Sequence, residues 1–260
     1  MSDHAVAERM QGKVIVVTGA SSGQGFAEAV ALAAEGATVI AADIKAELAP
    51  YPPGIIHRQL DIGQPEEWRK LTSWVATEFG QIDGLVNNAG APVRDRLLDV
   101  PLETWDRAIR INLTGAMLGI QNVAPLMTRQ GSGSIVNVAS LAALSGMFTA
   151  AYTAAKWGMR GLSRVASLEL GPLGIRVNTI FPGFVSTPMT ATYQQDFVDI
   201  AVREIPLGRM GLPQDVAPLV VFLLSDASAW ISGAEISVDG GQWAHGGTKS
   251  VSDLMRQPAR

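Results

Sequence analysis

Tyr152 and Lys156 have the clearest chemical potential in the chain, because they stand four residues apart and follow Ser140. Residues four apart share one face of a helix, so a helical segment brings the phenol and the ammonium together. A phenol with a pKa near 10 needs roughly 4 kcal/mol of preference for phenolate to ionise near pH 7. The adjacent cation, helped by a positively charged nicotinamide ring, is predicted to supply it. The pattern indicates proton transfer in a nicotinamide-dependent alcohol/carbonyl oxidoreductase.

Short apolar runs alternate with longer helical patterns along most of the chain. Strands are predicted at 14–18, 38–42, 55–60, 82–87, 133–139, 176–180 and 235–238, and helices at 24–35, 65–79, 102–129, 151–170 and 213–225. Continuous apolar runs are typical of parallel strands buried on both faces. The alternation predicts an α/β fold in a single domain: a Rossmann-like, doubly wound parallel sheet of about seven strands with helices on both faces.

A glycine-rich turn separates the first predicted strand from the first helix. It contains Gly19, Ser21, Ser22, Gly23, Gln24 and Gly25. Glycines let the backbone turn tightly and approach a pyrophosphate, and the free N–H groups at the start of a helix attract that anion. The strand–turn–helix setting predicts dinucleotide binding, and the alternative is a purely structural turn.

Asp43 ends the second predicted strand and is the candidate for choosing between coenzymes. A carboxylate at this place accepts hydrogen bonds from the adenosine ribose hydroxyls and repels a 2′-phosphate. The sequence therefore favours NAD over NADP, although Lys45 supplies a cation nearby. The alternative for Asp43 is a solvated acid at a strand end.

Polar and small residues also follow the third and fourth predicted strands. They are Asp61 and Ile62, then Asn88, Ala89 and Gly90. Because the carboxyl ends of parallel strands line one crevice, these residues are predicted to extend the dinucleotide site. Each alone is equally typical of a turn.

Residues 182–212 interrupt the strand–helix alternation. Prolines and glycines surround an amphipathic stretch at 194–203. An insertion on the side where strands end is predicted to be a substrate lid, and the alternative is an ordinary surface excursion. Residues 1–12 are predicted to be a flexible leader.

Composition excludes several classes of function. The chain of 260 residues has no cysteine, three scattered histidines and a net charge of −4 without a Lys/Arg cluster. Thiolate chemistry is excluded, and no metal site and no nucleic-acid partner are expected. No apolar run approaches the roughly 20 residues that span a bilayer, so no membrane association is expected. These features suit a cytoplasmic enzyme.

The ordered set of motifs resembles the short-chain dehydrogenase/reductase family over residues 10–242. The matching elements are Thr18-Gly19-x-x-x-Gly23-x-Gly25, Asn87-Asn88-Ala89-Gly90, Asn112, Ser140, Tyr152-x-x-x-Lys156, Ile175-Arg-Val-Asn178, Pro182-Gly183 and Asp239-Gly240-Gly241. Segments 156–163 and 183–190 are similar to those of bacterial hydroxysteroid dehydrogenases. Gln24 departs from the family pattern, which usually has an aliphatic residue there.

The resemblance implies a role for each matching polar residue. Tyr152 would act as general acid/base on the substrate oxygen and Ser140 would hold that oxygen. Lys156 would bind the nicotinamide ribose and favour phenolate, and Asn112 would support a water linking Lys156 to solvent. Further coenzyme contacts implied are Asp61 to adenine, Asn88 in the cleft, Thr187 to the carboxamide, and Pro182, Gly183 and Val185.

Apolar side chains near the catalytic groups indicate a lipophilic small-molecule alcohol or ketone as substrate. The predicted wall consists of Leu141, Phe148, Phe184, Met189 and Tyr193. Steroids, other cyclic alcohols and 3-oxoacyl groups all stay open, and the same side chains could simply pack the lid. Small residues on helix 151–170 suit close helix packing, and the resemblance implies a homotetramer. The alternative functions are a 3-oxoacyl reductase and a non-catalytic dinucleotide-sensing protein.

Overall fold

The protein, seen in a computed structural model that describes residues 9–45 and 51–256, centres on one parallel sheet of seven strands. The strands are β1 Val14–Thr18, β2 Thr38–Asp43, β3 Ile55–Gln59, β4 Gly84–Asn87, β5 Gly133–Val138, β6 Ile175–Pro182 and β7 Glu235–Val238. Their spatial order is β3-β2-β1-β4-β5-β6-β7, and every neighbouring pair is parallel. The order reverses between β1 and β4, so a crevice opens beyond their carboxyl ends. The predicted fold class is confirmed.

Helices cover both faces of the sheet. They are α1 Gly23–Ala34, α2 Pro65–Phe79, α3 Leu102–Ile109, α4 Gly115–Gln130, α5 Ala150–Leu170, α6 Gln195–Arg203, α7 Pro213–Leu224 and α8 Lys249–Met255. Alternate residues of a strand point to opposite faces. Accordingly Val14 and Val16 pack in the core cluster that contains Trp68 of α2, while Ile15 and Val17 pack with the side chains of α1 and α7.

The helix predicted at 102–129 is interrupted. A π-helical turn, Arg110–Thr114, separates α3 from α4. The Asn112 amide donates to the carbonyls of Ala108 and Ala91, both at 3.1 Å, and therefore competes for the helical hydrogen-bond pattern. Pattern reasoning missed this interruption, and it also missed α8 in the C-terminal segment.

The predicted leader overlaps the folded part of the chain. Met10 is fully buried against one face of the sheet, and Arg9 pairs with Glu35 at the end of α1. Residues 9–12 are therefore anchored by apolar burial and an ion pair, and residues 1–8 lie outside the described residues. Within the described ranges, no helix has both the length and the apolar character that crossing a membrane requires.

Candidate active site

A cleft of about 1220 Å³ opens at the carboxyl ends of the strands. It gathers nearly all the residues that the sequence singled out: Gly19, Ser21, Ser22, Gly23, Gln24, Asp43, Asp61, Ile62, Asn88, Ala89, Gly90, Ser140, Leu141, Phe148, Tyr152, Lys156, Pro182, Gly183, Phe184, Val185, Thr187, Met189 and Tyr193. The end near β1, β2 and β4 is called here the coenzyme half. The end beneath residues 183–204 is called the substrate half.

The glycine turn of the coenzyme half brings the backbone very close to the neighbouring loop. Gly19 has φ +67°, and a Cβ there would lie 2.8 Å from Ala89 Cα. Gly23 has φ +57° and begins α1. Ser22 precedes α1 without a side-chain hydrogen bond to the described backbone. The start of α1 thus has no side-chain cap from Ser22 and lines the cleft, and the free N–H groups of such a helix start can bind an anion.

Gly25 is the one predicted glycine that does not line the cleft. A Cβ at this position would lie 2.5 Å from the Gly19 carbonyl oxygen and closer still to the Asn88 amide nitrogen. The residue therefore permits close packing of α1 beneath the turn. Its contribution to any coenzyme contact is indirect.

Thr18 and Asn88 tie the two coenzyme loops together. The Thr18 hydroxyl donates to the Val86 carbonyl and accepts from the backbone N–H groups of Asn88 and Ala89, all at 3.1 Å. The Asn88 side chain donates back to the Thr18 carbonyl at 2.9 Å. These bonds fix the separation of the strand ends, and they assign Asn88 a supporting role in the loop as well as a place in the cleft.

Two acidic residues, Asp43 and Asp61, line the coenzyme half. Asp43 is 7% exposed, and its two oxygens accept from the backbone N–H groups of Ser21 at 3.0 Å and Lys45 at 3.2 Å. Asp61 accepts from Gly63 N–H at 2.8 Å and faces Arg110 at 3.9 Å. Both carboxylates are thus held in fixed directions by the backbone at the end of their strands.

Ser140, Tyr152 and Lys156 meet where β5 ends and α5 begins. Lys156 Nζ lies 5.6 Å from the centroid of the Tyr152 ring and donates to the Val138 carbonyl at 2.8 Å. The Ser140 oxygen accepts from Ala142 N–H at 3.2 Å and starts a short 3₁₀ turn. The helical spacing thus places the phenol and the ammonium in one cleft.

Burial shifts the pKa of both Tyr152 and Lys156. Burial raises the pKa of Tyr152 to about 12, opposed by a hydrogen bond with Ser140, and the nearby Tyr193 raises it further. Burial also lowers the pKa of Lys156 to about 8. The predicted phenolate also relies on the charge of the nicotinamide ring and stays a prediction; without that charge, the protein's own groups keep the phenol protonated. The reason is that removal from water penalises both charged forms.

Asn112 lies behind the cleft wall and does not line it. Its side-chain oxygen accepts from Ala91 N–H at 3.1 Å, so all its described side-chain bonds go to backbone groups. A Cβ on Gly90 would lie 2.8 Å from this oxygen, which explains the small residue there. Asn112 therefore supports both the loop after β4 and the π-helical turn. Turns of this kind are frequent at functional sites.

Aromatic side chains dominate the substrate half. Tyr193 and Phe197 stack with centroids 4.4 Å apart, and Phe184 and Phe148 contact Phe197 edge-on at 5.8 and 6.1 Å. Arg94 also lines the cleft, with its guanidinium 4.2 Å from the Tyr193 ring centroid. It also donates to the Met189 carbonyl at 2.9 Å and to the Thr192 hydroxyl.

The segment after β7 forms another wall of the substrate half. Trp243 and His245 line the cleft opposite Glu204 of the segment that follows α6. His245 Nε2 lies 2.9 Å from the Glu204 carbonyl, and the Ser250 hydroxyl donates to the Glu204 carboxylate at 2.8 Å. The C-terminal segment therefore packs directly against residues 183–204.

Comparison with known proteins decides the family. Residues 19–242 match the profile described as enoyl-(acyl carrier protein) reductase. The chain belongs to the short-chain dehydrogenase/reductase family. It is 42% identical over 239 residues to a 3-alpha-(or 20-beta)-hydroxysteroid dehydrogenase of Mycobacterium bovis, which covers 90% of each chain.

Two further family members extend this likeness. The chain is 39% identical over 254 residues to trans-4-hydroxycyclohexanecarboxylate dehydrogenase of Sinomonas cyclohexanicum, covering 92% of this chain and 96% of that protein. A crystal structure described as a short-chain dehydrogenase/reductase from Burkholderia xenovorans superposes with a TM-score of 0.84 at 34% identity, over 91% of this chain and 98% of that one. The protein is therefore an oxidoreductase of the kind that acts on alcohols.

Sequence reasoning missed several residues of this dehydrogenase/reductase cleft. They are Arg94, Phe197, Glu204, Gln242, Trp243 and His245. Phe197 lies within the amphipathic stretch that the sequence did flag, and its aromatic type was a usable signal. Arg94 and the C-terminal residues belong to no motif, and only tertiary packing brings them to the cleft.

The residues present fit a dinucleotide coenzyme, as members of this family use. The close-approach glycines, the uncapped start of α1 and the oriented carboxylate of Asp43 form a cradle of the right chemistry. Throughout residues 9–45 and 51–256, no three His, Asp or Glu side chains gather in a way that could hold a metal ion.

Proposed function

We propose that the protein is an NAD(H)-dependent enzyme that interconverts a secondary alcohol and a ketone, with Tyr152 as general acid/base. The observation that carries this proposal is the meeting of Ser140, Tyr152 and Lys156 at the junction between the coenzyme and substrate halves. When bound, the nicotinamide coenzyme would accept or supply a hydride at the substrate carbon.

The chain's own residues handle the substrate oxygen. The Ser140 hydroxyl lies on the fixed end of β5 and is proposed to donate a hydrogen bond that orients this oxygen. In alcohol oxidation Tyr152 takes the hydroxyl proton, and in ketone reduction it returns a proton to the oxygen. Lys156, anchored by the Val138 carbonyl, is proposed to bind ribose hydroxyls with its remaining donors and to stabilise phenolate once its ammonium is charged.

Asp43 supports the proposed preference for NAD. Its carboxylate ends β2, lines the cleft and is held by Ser21 N–H, so a 2′-phosphate placed there would meet a fixed negative charge. Lys45 also lines the cleft, and its backbone N–H donates a hydrogen bond to the Asp43 carboxylate.

The proposed substrate is a lipophilic cyclic alcohol or ketone. Four aromatic rings and Met189 form the wall of the substrate half, and apolar walls with few polar groups suit such molecules. The names of both relatives specify a hydroxyl group on a cyclohexane ring or on a steroid. Residues 182–212 are proposed to act as the lid over this substrate, since Phe184, Tyr193 and Phe197 belong to them.

The proposed assembly is a homotetramer in the cytoplasm. Helix α5 presents the exposed apolar residues Val165 and Leu168 together with Gly161, which has open space around it. Such a surface suits close packing against another copy of the helix. The absence of cysteine from the sequence agrees with a reducing compartment.

A panel of cyclic, steroidal and acyclic alcohols and ketones, with 3-oxoacyl thioesters included, tests the proposal with NAD(H) and NADP(H). Tyr152→Phe should lower turnover by about 10²–10⁴ while leaving NADH binding intact. Tyr193→Phe is the matched control, because it removes another phenol from the same cleft and should retain most activity.

Wild-type turnover by Tyr152→Phe would contradict the assignment of the acid/base. NADH binding by the wild type without turnover of any compound would instead favour the dinucleotide-sensing alternative. Preferred turnover of 3-oxoacyl thioesters would favour the other alternative, a 3-oxoacyl reductase.

A further inference from the structure

Glu28 on helix α1 is a buried acid that the proposed chemistry does not use. Its side chain is 0% exposed, and Oε2 finds no hydrogen-bond partner among the described residues. Oε1 accepts from the Gln24 amide at 3.1 Å, one turn earlier on the same helix. Gln24 in turn lines the cleft at the start of α1, so a single hydrogen bond connects a buried carboxyl to the coenzyme half.

Among residues 9–45 and 51–256, no charged group compensates for the burial of Glu28. Helix α1 packs against β1, β2, β3 and α7. The ionisable groups on those elements are Asp43 of β2, His57 and Arg58 of β3, and Asp215 of α7, which pairs with Arg209. None of them shifts the pKa of Glu28. Burial raises this pKa to about 8, and the hydrogen bond from Gln24 partly opposes the rise. Near neutral pH the carboxyl is therefore mostly protonated.

We propose that Glu28 is a positioning residue for coenzyme binding: in its neutral form it holds the Gln24 amide at the cleft wall, and its ionisation weakens the hold on the dinucleotide. This rests on the proposed coenzyme site. Two physical effects act in the same direction. An ionised Glu28 draws the Gln24 amide inward through a charge-assisted hydrogen bond, and it places a buried negative charge near the start of α1, where the pyrophosphate would bind.

Linkage gives the expected direction. If the dinucleotide favours the protonated form of Glu28, its affinity is full at low pH and falls as the pH rises through about 8. A coupling of this kind typically changes affinity by about fivefold or more. Burial lowers the pKa of Lys156 to about 8, so this residue loses its charge in the same pH range and adds its own pH dependence to the coenzyme affinity. The effect of Glu28 is therefore measured as the difference in coenzyme affinity between the wild type and a Glu28 variant at the same pH.

NADH titrations followed by fluorescence from pH 6.5 to 9.5 test the proposal on wild type, Glu28→Gln and Gln24→Leu. Glu28→Gln keeps the shape and a neutral acceptor, so it should bind as wild type does at pH 6.5 and about fivefold more tightly at pH 9.5. Gln24→Leu removes the donor that lowers the pKa of Glu28, so its loss of affinity should move to higher pH.

Thermal unfolding supplies a readout that needs no coenzyme. The raised pKa of Glu28 means that its proton stabilises the fold below pH 4.5, and this contribution is lost as the pH rises through about 8. The melting temperature of Glu28→Gln should therefore exceed that of wild type by a margin that grows between pH 5 and 8.5.

Two outcomes overturn the inference. Identical pH profiles of NADH affinity in wild type and Glu28→Gln would remove Glu28 from coenzyme binding and leave the proposed function untouched. Failure of the wild type to bind NADH at any pH would contradict both the role of Glu28 and the proposed function.

Discussion

The coenzyme half and the substrate half of the cleft are held by different kinds of contact. In the coenzyme half, Thr18, Asn88 and Asp43 bond to backbone N–H and carbonyl groups at the ends of parallel strands. In the substrate half, Tyr193 and Phe197 stack on each other and Arg94 lies over one ring. Backbone bonds fix position with little freedom, whereas side-chain packing tolerates exchange of similar shapes. We therefore expect substitutions that displace the backbone of the first half to be all-or-none, and substitutions that only exchange a side chain to be graded.

Gly25→Ala should have the largest effect, because its Cβ would meet the Gly19 carbonyl oxygen at 2.5 Å. The glycine turn must move, so NADH binding should be abolished and the free energy of unfolding should fall by about 1–3 kcal/mol. Gly171→Ala is the matched control, since a Cβ there would meet no described atom within 4 Å apart from its chain neighbours and the backbone of its own helix, and its φ is −54°. NADH titration and thermal unfolding of both variants make the comparison, and unaltered NADH affinity in Gly25→Ala would show that the turn is not rigid.

The pH dependence of the two reaction directions should differ strongly. Alcohol oxidation needs phenolate, and burial raises the pKa of Tyr152 to about 12, so kcat/KM should rise by up to about tenfold per pH unit from pH 6 upward. The rise should flatten above about pH 8, where Lys156 loses its charge. Ketone reduction uses the protonated phenol and should change little below pH 8. Equal profiles in both directions would contradict the role of Tyr152.

Sequence reasoning found residues in both halves, since the predicted wall residues Phe148, Phe184 and Tyr193 line the cleft as well. Asp43, Asn88 and most of the glycine turn could be located at the cleft because strand ends and helix starts follow from short-range patterns that constrain the backbone. Arg94 and Trp243 were missed because tertiary packing alone brings them to the cleft. The pKa of Tyr152 shows a related limit of pattern reasoning: spacing reveals that Lys156 is near, but burial, which opposes both charges, depends on the whole fold.

Asp43→Asn should lower the preference for NAD over NADP by about 10–100-fold, the range expected for a charge-assisted hydrogen bond. The amide keeps the size of the carboxylate and one oxygen acceptor for Ser21 N–H, so the fold and the glycine turn should persist. The ratio of kcat/KM values for the two coenzymes measures the effect, with thermal unfolding as a check on the fold. An unchanged ratio would show that Asp43 only supports the loop.

Phe197→Ala should affect substrates according to their size. The side chain contacts three other aromatic rings, so its loss widens the substrate half without touching Tyr152 or the coenzyme loops. We expect kcat/KM for bulky cyclic alcohols to fall about tenfold, and that for small acyclic alcohols and the Kd for NADH to stay within about twofold. A uniform loss for all substrates would indicate that the aromatic cluster supports the fold rather than selects the substrate.

Arg94→Gln should have the smallest effect, because Arg94 is exposed and its contacts with Met189 and Thr192 lie at the surface of residues 182–212. Exposed polar contacts of this kind contribute about 1 kcal/mol or less. We expect KM for cyclic alcohols to rise about two- to fivefold while kcat holds, since the stack on Tyr193 orders the wall but does not reach the reacting oxygen. Arg94→Lys keeps the charge but loses the planar stack, so a full recovery by this variant would show that charge alone matters.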